Sequence, residues 1–152
     1  MHTLFYEFLN DDELLRISKT IREMEKYTSG EIVVSIKERR SFLQKHKTVK
    51  QLARKEFQRL GMKKTRDKTG ILLFILLEAR EFYVLADDGI HSIVGDSAWE
   101  GIKDILLHYF KDGAFSHGIA AAVREMGKIL SPHFPIKPDD TNEISNRVIV
   151  RP

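Results

Sequence analysis

The chain has 152 residues, enough for one domain with a single apolar core, and its 42% hydrophobic and 31% charged residues are ordinary for a globular protein. It has no cysteine, which excludes a disulfide framework, a thiolate metal site and a cysteine nucleophile. The formal net charge is +3 and the pI is near 9.1, a mildly basic balance whose cations are unevenly placed.

The first ten residues, Met-His-Thr-Leu-Phe-Tyr-Glu-Phe-Leu-Asn, lack the basic start, apolar segment and cleavage site of a secretion signal. The longest apolar run, seven residues from Ile71, falls short of the roughly 20 needed to span a bilayer. A soluble, cytoplasmic chain without a membrane span is expected.

Asn10-Asp-Asp-Glu13 has the form of a helix-start box, and Leu14, Ile17, Ile21 and Met24 recur at helical spacing, so a first helix is predicted over about 11–27, ended by Ser29-Gly30. Glu31 to Glu38 reads as a strand, with Ile32, Val34 and Ile36 on one face and Val33 on the other. Val49, Leu52, Ala53, Phe57 and Leu60 mark the apolar side of a second helix that Gly61 stops. Ile71 to Leu77 is apolar throughout, as in a central strand covered on both faces. After the Glu78-Ala79-Arg80 break, Phe82, Val84 and Ala86 alternate with Tyr83 and Leu85 in a second, paired strand.

Asp87-Asp88-Gly89 reads as a turn and Ser92-Ile-Val-Gly95 as a short edge strand. Ser97-Ala-Trp-Glu100 resembles another capping box, followed by a stripe of Trp99, Ile102, Leu106 and Tyr109 that ends at Asp112-Gly113. Ser116 is a candidate cap for a last helix, with Ile119, Val123, Met126 and Leu130 inward and Ala120, Ala121 and Ala122 permitting close approach. Pro132, Pro135 and Pro138 predict an extended tail from about His133, on which Val148-Ile-Val150 could dock. No repeat or long linker divides the chain, so one domain over 1–152 is expected.

This order implies an α/β fold. The strands at Glu31 and Ile71 should be parallel and joined by a crossover helix, and the third strand should return antiparallel. Glu31, Asp67, Asp87 and Asp88 then fall at one end of the sheet. Clustered oxygen ligands of this kind bind hard cations such as Ca²⁺ or Mg²⁺, and such a metal can orient a phosphoryl group or activate water. The alternative is that acids gather wherever strands end in turns. The rim lies opposite the usual ligand crevice at the carboxyl ends of parallel strands, which weighs against a nucleotide enzyme.

Among the six histidines none forms a metal-ligating pair such as HExxH, and only His91 lies near the acidic turn. Gly113 and Gly118 form no phosphate loop, and no serine sits in a nucleophile elbow. From Lys45 to Lys68 ten cations stand against Glu56 and Asp67. This stretch could meet nucleic acid, anionic lipid or an acidic partner, but no aromatic interleaves with the cations, Phe57 belonging to the apolar side. A solvated helix face is the simpler reading, and nucleic acid is not the expected partner.

The segments Thr28-Ser-Gly-Glu-Ile-Val-Val34, Leu60-Gly-Met62 with Thr65 and Gly70, Arg80-Glu-Phe82, Asp88-Gly-Ile-His91, Trp99, Phe110 with Gly113-Ala-Phe115, Gly118, and His133-Phe-Pro135 with Asp139-Asp140 and Asn142-Glu143 together resemble the TPM domain family. The resemblance runs from about Phe8 to Asn146 and is closest to the short, stand-alone bacterial members. It implies a three-layer α/β/α sandwich around a mainly parallel sheet of about four strands with one antiparallel hairpin.

The resemblance also implies binding of divalent metal, calcium ahead of magnesium, through acids at a strand end, and in plant members a weak acid phosphatase activity. Asp88 matches the family's acid-Gly-Ile turn and Glu31 its Ser-Gly-Glu entry, with Asp67 and Asp87 completing the expected metal set. His91 and Thr69 are expected to support that set, Thr69 standing where the family often has Asn. Lys47, Lys50, Arg54, Lys63 and Lys64 offer a surface for an anion. The expected function is a divalent-cation-binding module that acts through a protein partner, as a monomer or weak homo-oligomer. The alternative is a weak metal-assisted phosphatase acting on phosphate monoesters, which no dedicated nucleophile or general-base pair supports.

Overall fold

The structure, a computed structural model, describes residues 4–62, 70–136 and 148–152. Its helices are α1 (Phe5–Phe8), α2 (Asp11–Met24), α3 (Val49–Arg59), α4 (Asp88–Val94), α5 (Ala98–Lys111) and α6 (Phe115–Leu130), and its strands β1 (Glu31–Lys37), β2 (Gly70–Leu76), β3 (Glu81–Ala86) and β4 (Val148–Arg151). The strand order is β3-β2-β1-β4. β1 is parallel to both β2 and β4, and only β2 and β3 run antiparallel.

Pleating divides the core in two. Ile32, Val34, Ile36, Ile71, Leu73 and Ile75 face α2, α5 and α6, while Val33, Leu72, Phe74 and Leu76 face α3 on the opposite side. β2 is buried along its whole length, as an unbroken apolar run between two helical layers must be. The result is the expected α/β three-layer sandwich.

α2 starts as its sequence dictates. Asn10 Oδ1 accepts from Glu13 N at 2.8 Å and Glu13 Oε1 from Asn10 N at 3.0 Å, while Asp11, Asp12 and Glu13 face the positive end of the helix dipole. A second reciprocal box, between Thr48 and Gln51, opens α3. The tail is tied back where Phe134 O accepts from Thr28 Oγ1 at 2.6 Å and Ser29 N at 2.8 Å, so two of the segments carrying the family resemblance meet in space.

Three local expectations are corrected. Ser92-Ile-Val-Gly95 is not an edge strand but the end of α4. Asp87 caps that helix, its carbonyl accepting from Ile90 N and His91 N at 3.0 and 2.9 Å, and Ile90 is buried in the core. A short apolar segment does not by itself distinguish the two periods, and the cap decided for helix. Ser97 lies in helical conformation and makes no capping bond, and α6 opens at Ala114 with Ser116 buried in its first turn. Close helix approach is set by Gly127 as well as by Ala122: a Cβ on Gly127 would lie 2.6 Å from Met24 Sδ.

Candidate functional site

The parallel register sets Glu31 beside Gly70, and Asp87 N donates to Gly70 O at 2.8 Å, so Glu31, Gly70 and Asp87 form one row across three strands. Alternation directs this row to the α3 side, the side that Val33, Leu72 and Leu85 also face. Gly70 packs closely in the middle of the row: a Cβ there would lie 3.0 Å from the Met62 methyl, so a larger residue would need Met62 to shift. Glu31 and Asp87 therefore lie together at the sheet end predicted from topology.

Asp87 is 6% exposed and Glu31 7%, whereas Asp88 is exposed. Asp87 Oδ1 accepts from Asp88 N at 2.7 Å. Its Oδ2 is buried and accepts no hydrogen bond among the described residues. A carboxylate oxygen taken out of water without a donor or a cation is costly, commonly 1–3 kcal/mol or more, so this atom is the point at which a positive ion would be most stabilising.

Around Asp87 and Asp88 runs a cleft of about 530 Å³ bordered by Arg54, Phe57 and Gln58 of α3. It shares Arg54, Leu85, Ala86 and Asp88 with a larger groove of about 700 Å³ along the outer edge of β3, which Lys50, His91 and Trp99 also line. His91 turns toward Asp96, with Nδ1 3.4 Å from Asp96 Oδ1, both side chains being exposed.

The structure thus brings Asp87, Asp88, Lys50 and Arg54 to one region, with His91 on its margin. Lys47 lines a neighbouring cleft with Gln44, Gln51 and Lys55, which shares only Arg54 and Gln58 with that of Asp87 and Asp88. Asp67, Thr69, Lys63 and Lys64 lie outside the described residues. Among the described residues no three His, Asp or Glu side chains approach closely enough to hold a metal ion together. Asp87 Oδ2 fits the demand of a hard cation, and the described residues alone do not complete its coordination.

A buried polar cluster on the same side of the sheet, toward the other strand ends, was not foreseen. Ser35 donates to Glu56 Oε2, and Arg151 Nε donates to the same carboxylate at 3.1 and 3.3 Å. Lys37 lies nearby, and burial, with the charges of Arg59 and Arg151, holds its pKa below the ordinary lysine value against the pull of Glu56. Residues 21 and 95 positions apart from Glu56 carry no spacing signal in a sequence.

The sequence matches the model of the TPM domain over residues 4–129. Among solved structures it is similar to the BA42 protein of the psychrophilic bacterium Bizionia argentinensis, determined by NMR, with 31% identity, a TM-score of 0.84, and coverage of 94% of this chain and 95% of that one. The N-terminal domain of a P. gingivalis protein shares the fold at 16% identity and a TM-score of 0.69, covering 84% of this chain and 79% of that one. No curated protein matches the chain. The chain belongs to the TPM domain family.

Proposed function

We propose that this TPM domain protein binds a divalent cation, Ca²⁺ ahead of Mg²⁺, at its acidic sheet end and acts through a protein partner in the cytoplasm, as a monomer or weak homo-oligomer. The observation that carries the reading is the buried Oδ2 of Asp87, which has no partner among the described residues, beside exposed Asp88. Asp87 would supply the buried ligand and Asp88 the solvent-facing one, with Glu31 on the same row and Asp67 as the remaining acid. The open edge of β3, in the groove that adjoins Asp88, offers an extended peptide unpaired backbone groups and the Trp99 ring.

Calorimetric titration of chelator-treated protein with Ca²⁺ and then Mg²⁺ tests this. Saturable binding at micromolar to millimolar concentration with a raised melting temperature is expected, the gain reaching about 2.7 kcal/mol at a hundredfold excess over Kd. Asp87→Asn should weaken binding at least about tenfold, a loss of roughly 1.4 kcal/mol. Equal affinity in the variant would remove Asp87 from the site.

One observation favours a second reading, a weak metal-assisted phosphatase acting on phosphate monoesters: Arg54 borders the same cleft as Asp87 and Asp88. There the guanidinium would hold the phosphate while the acids hold the metal. Turnover of a chromogenic phosphate ester that scales with protein concentration and disappears in both Asp87→Asn and Arg54→Ala would select it.

A further inference from the structure

Phe42 is 87% exposed and Leu43 90%, the two most exposed large apolar side chains among the described residues. They sit side by side on a single 3-10 turn, Phe42–Gln44, between β1 and α3. This turn is braced. Gln44 Oε1 accepts from Ser41 N at 3.1 Å and Ser41 O from Gln44 N at 3.0 Å, Arg40 Nε donates to Lys47 O at 2.8 Å, and Arg40 N donates to Glu78 Oε1 at 2.7 Å. The fold thus holds two large apolar groups in water on a fixed platform, where they bury nothing within the chain.

The surroundings say what would cover them. Residues 39–55 contain seven Lys or Arg and not one Asp or Glu. Of these cations Arg40 is engaged by Glu81 at 3.4 Å, while Arg39, Lys45 and Lys47 are exposed and form no ion pair among the described residues. Directly behind the tip lies the cleft of about 350 Å³ lined by Gln44, Lys47, Gln51, Arg54 and Lys55, again without an acid. A convex apolar tip flanked by exposed Arg39, Lys45 and Lys47 does not match a protein groove lined with carboxylates, which would leave Phe42 and Leu43 projecting into a polar floor. It matches an interface that is anionic at its surface and apolar a few ångströms below.

We infer that the turn carrying Phe42 and Leu43 docks on an anionic lipid surface: the two side chains enter the acyl boundary, Arg39, Lys45 and Lys47 meet the headgroup layer, and a lipid phosphate occupies the acid-free cleft behind the tip. The tip is distant in sequence from Asp87 and Asp88 and its insertion does not depend on cation binding there; the cleft behind it shares Arg54 and Gln58 with the acidic cleft.

Co-sedimentation with vesicles tests the inference. The intact protein should pellet with phosphatidylcholine vesicles containing about one third phosphatidylserine and remain in solution with phosphatidylcholine alone. Phe42→Ser with Leu43→Ser should lower the partition coefficient at least about tenfold, because both apolar insertions are lost. These side chains are already in water, so melting temperature should not change; it serves as the folding control. A Phe42→Trp variant provides an independent readout, its emission being quenched by brominated acyl chains while that of Trp99 in the parent is not. Equal binding by the double serine variant, or no quenching of Trp at position 42, would reduce the surface to a merely basic face and overturn the proposal. Retention on heparin or RNA without vesicle binding would also overturn it and assign the face to nucleic acid.

Discussion

Glu56, on the buried face of α3, is 6% exposed and accepts from the fully buried Ser35 hydroxyl and from Arg151 at the far end of the chain. Glu56→Ala would leave that hydroxyl without an acceptor and Arg151 without its counter-charge. We expect a loss of about 2–4 kcal/mol in urea unfolding, the sum of one unsatisfied buried group and one partly buried ion pair. Because Arg151 is partly exposed and can hydrate, Arg151→Met should cost less, and the double variant should be less destabilised than the two losses added. Additive losses would show that the carboxylate does not couple β4 to α3. The same scale separates the candidate ligands: Asp88 is a solvated acid whose replacement costs little stability, whereas Asp87 is buried and caps α4. Asp87→Asn keeps a capping oxygen, so its effect on Ca²⁺ affinity can be read apart from its effect on folding.

At the level of elements, α2 and α6 pack so closely at Gly127 that a Cβ there would meet Met24 Sδ at 2.6 Å and its Cβ at 3.0 Å. Gly127→Val would force the two helices apart or Met24 out of its place. A loss of about 1–3 kcal/mol is expected, measurable as a fall in melting temperature, and Met24→Ala in the same chain should recover part of it. An unchanged melting temperature would mean that Met24 moves aside freely. Helix boundaries were legible in the sequence where the chemistry was local: the Asn10 box gave the start of α2, and Gly61, at φ +72°, the end of α3. α4 was not legible because four residues, Ser92 to Gly95, suit either period, and what decides for helix is the cap at Asp87, whose carboxylate accepts from Asp88 N and whose carbonyl accepts from Ile90 N and His91 N.

For the whole molecule, the sheet is the shared wall of two cores, and β2 is its most deeply buried strand. Leu73, fully buried against α2 and α6, is representative. Leu73→Ala should cost about 2–5 kcal/mol, a large share of the 5–15 kcal/mol that a domain of this size holds, and should lower the urea midpoint without splitting the transition. Among the described residues the two edge strands, β3 and β4, are short, and β3 borders the larger groove. The sequence by itself determined the layered α/β fold, the parallel pair with its antiparallel return, and the sheet end at which Glu31 and Asp87 are gathered. Each of these follows from period-2 or period-3.6 burial and from connection rules that act over a few tens of residues. Only the tertiary structure decided that Asp87 Oδ2 is buried without a donor among the described residues, that Arg151 returns to Glu56 across 95 positions, and that Phe42 and Leu43 point into water. Those are properties of solvent access and of contacts between distant segments, which no local pattern encodes.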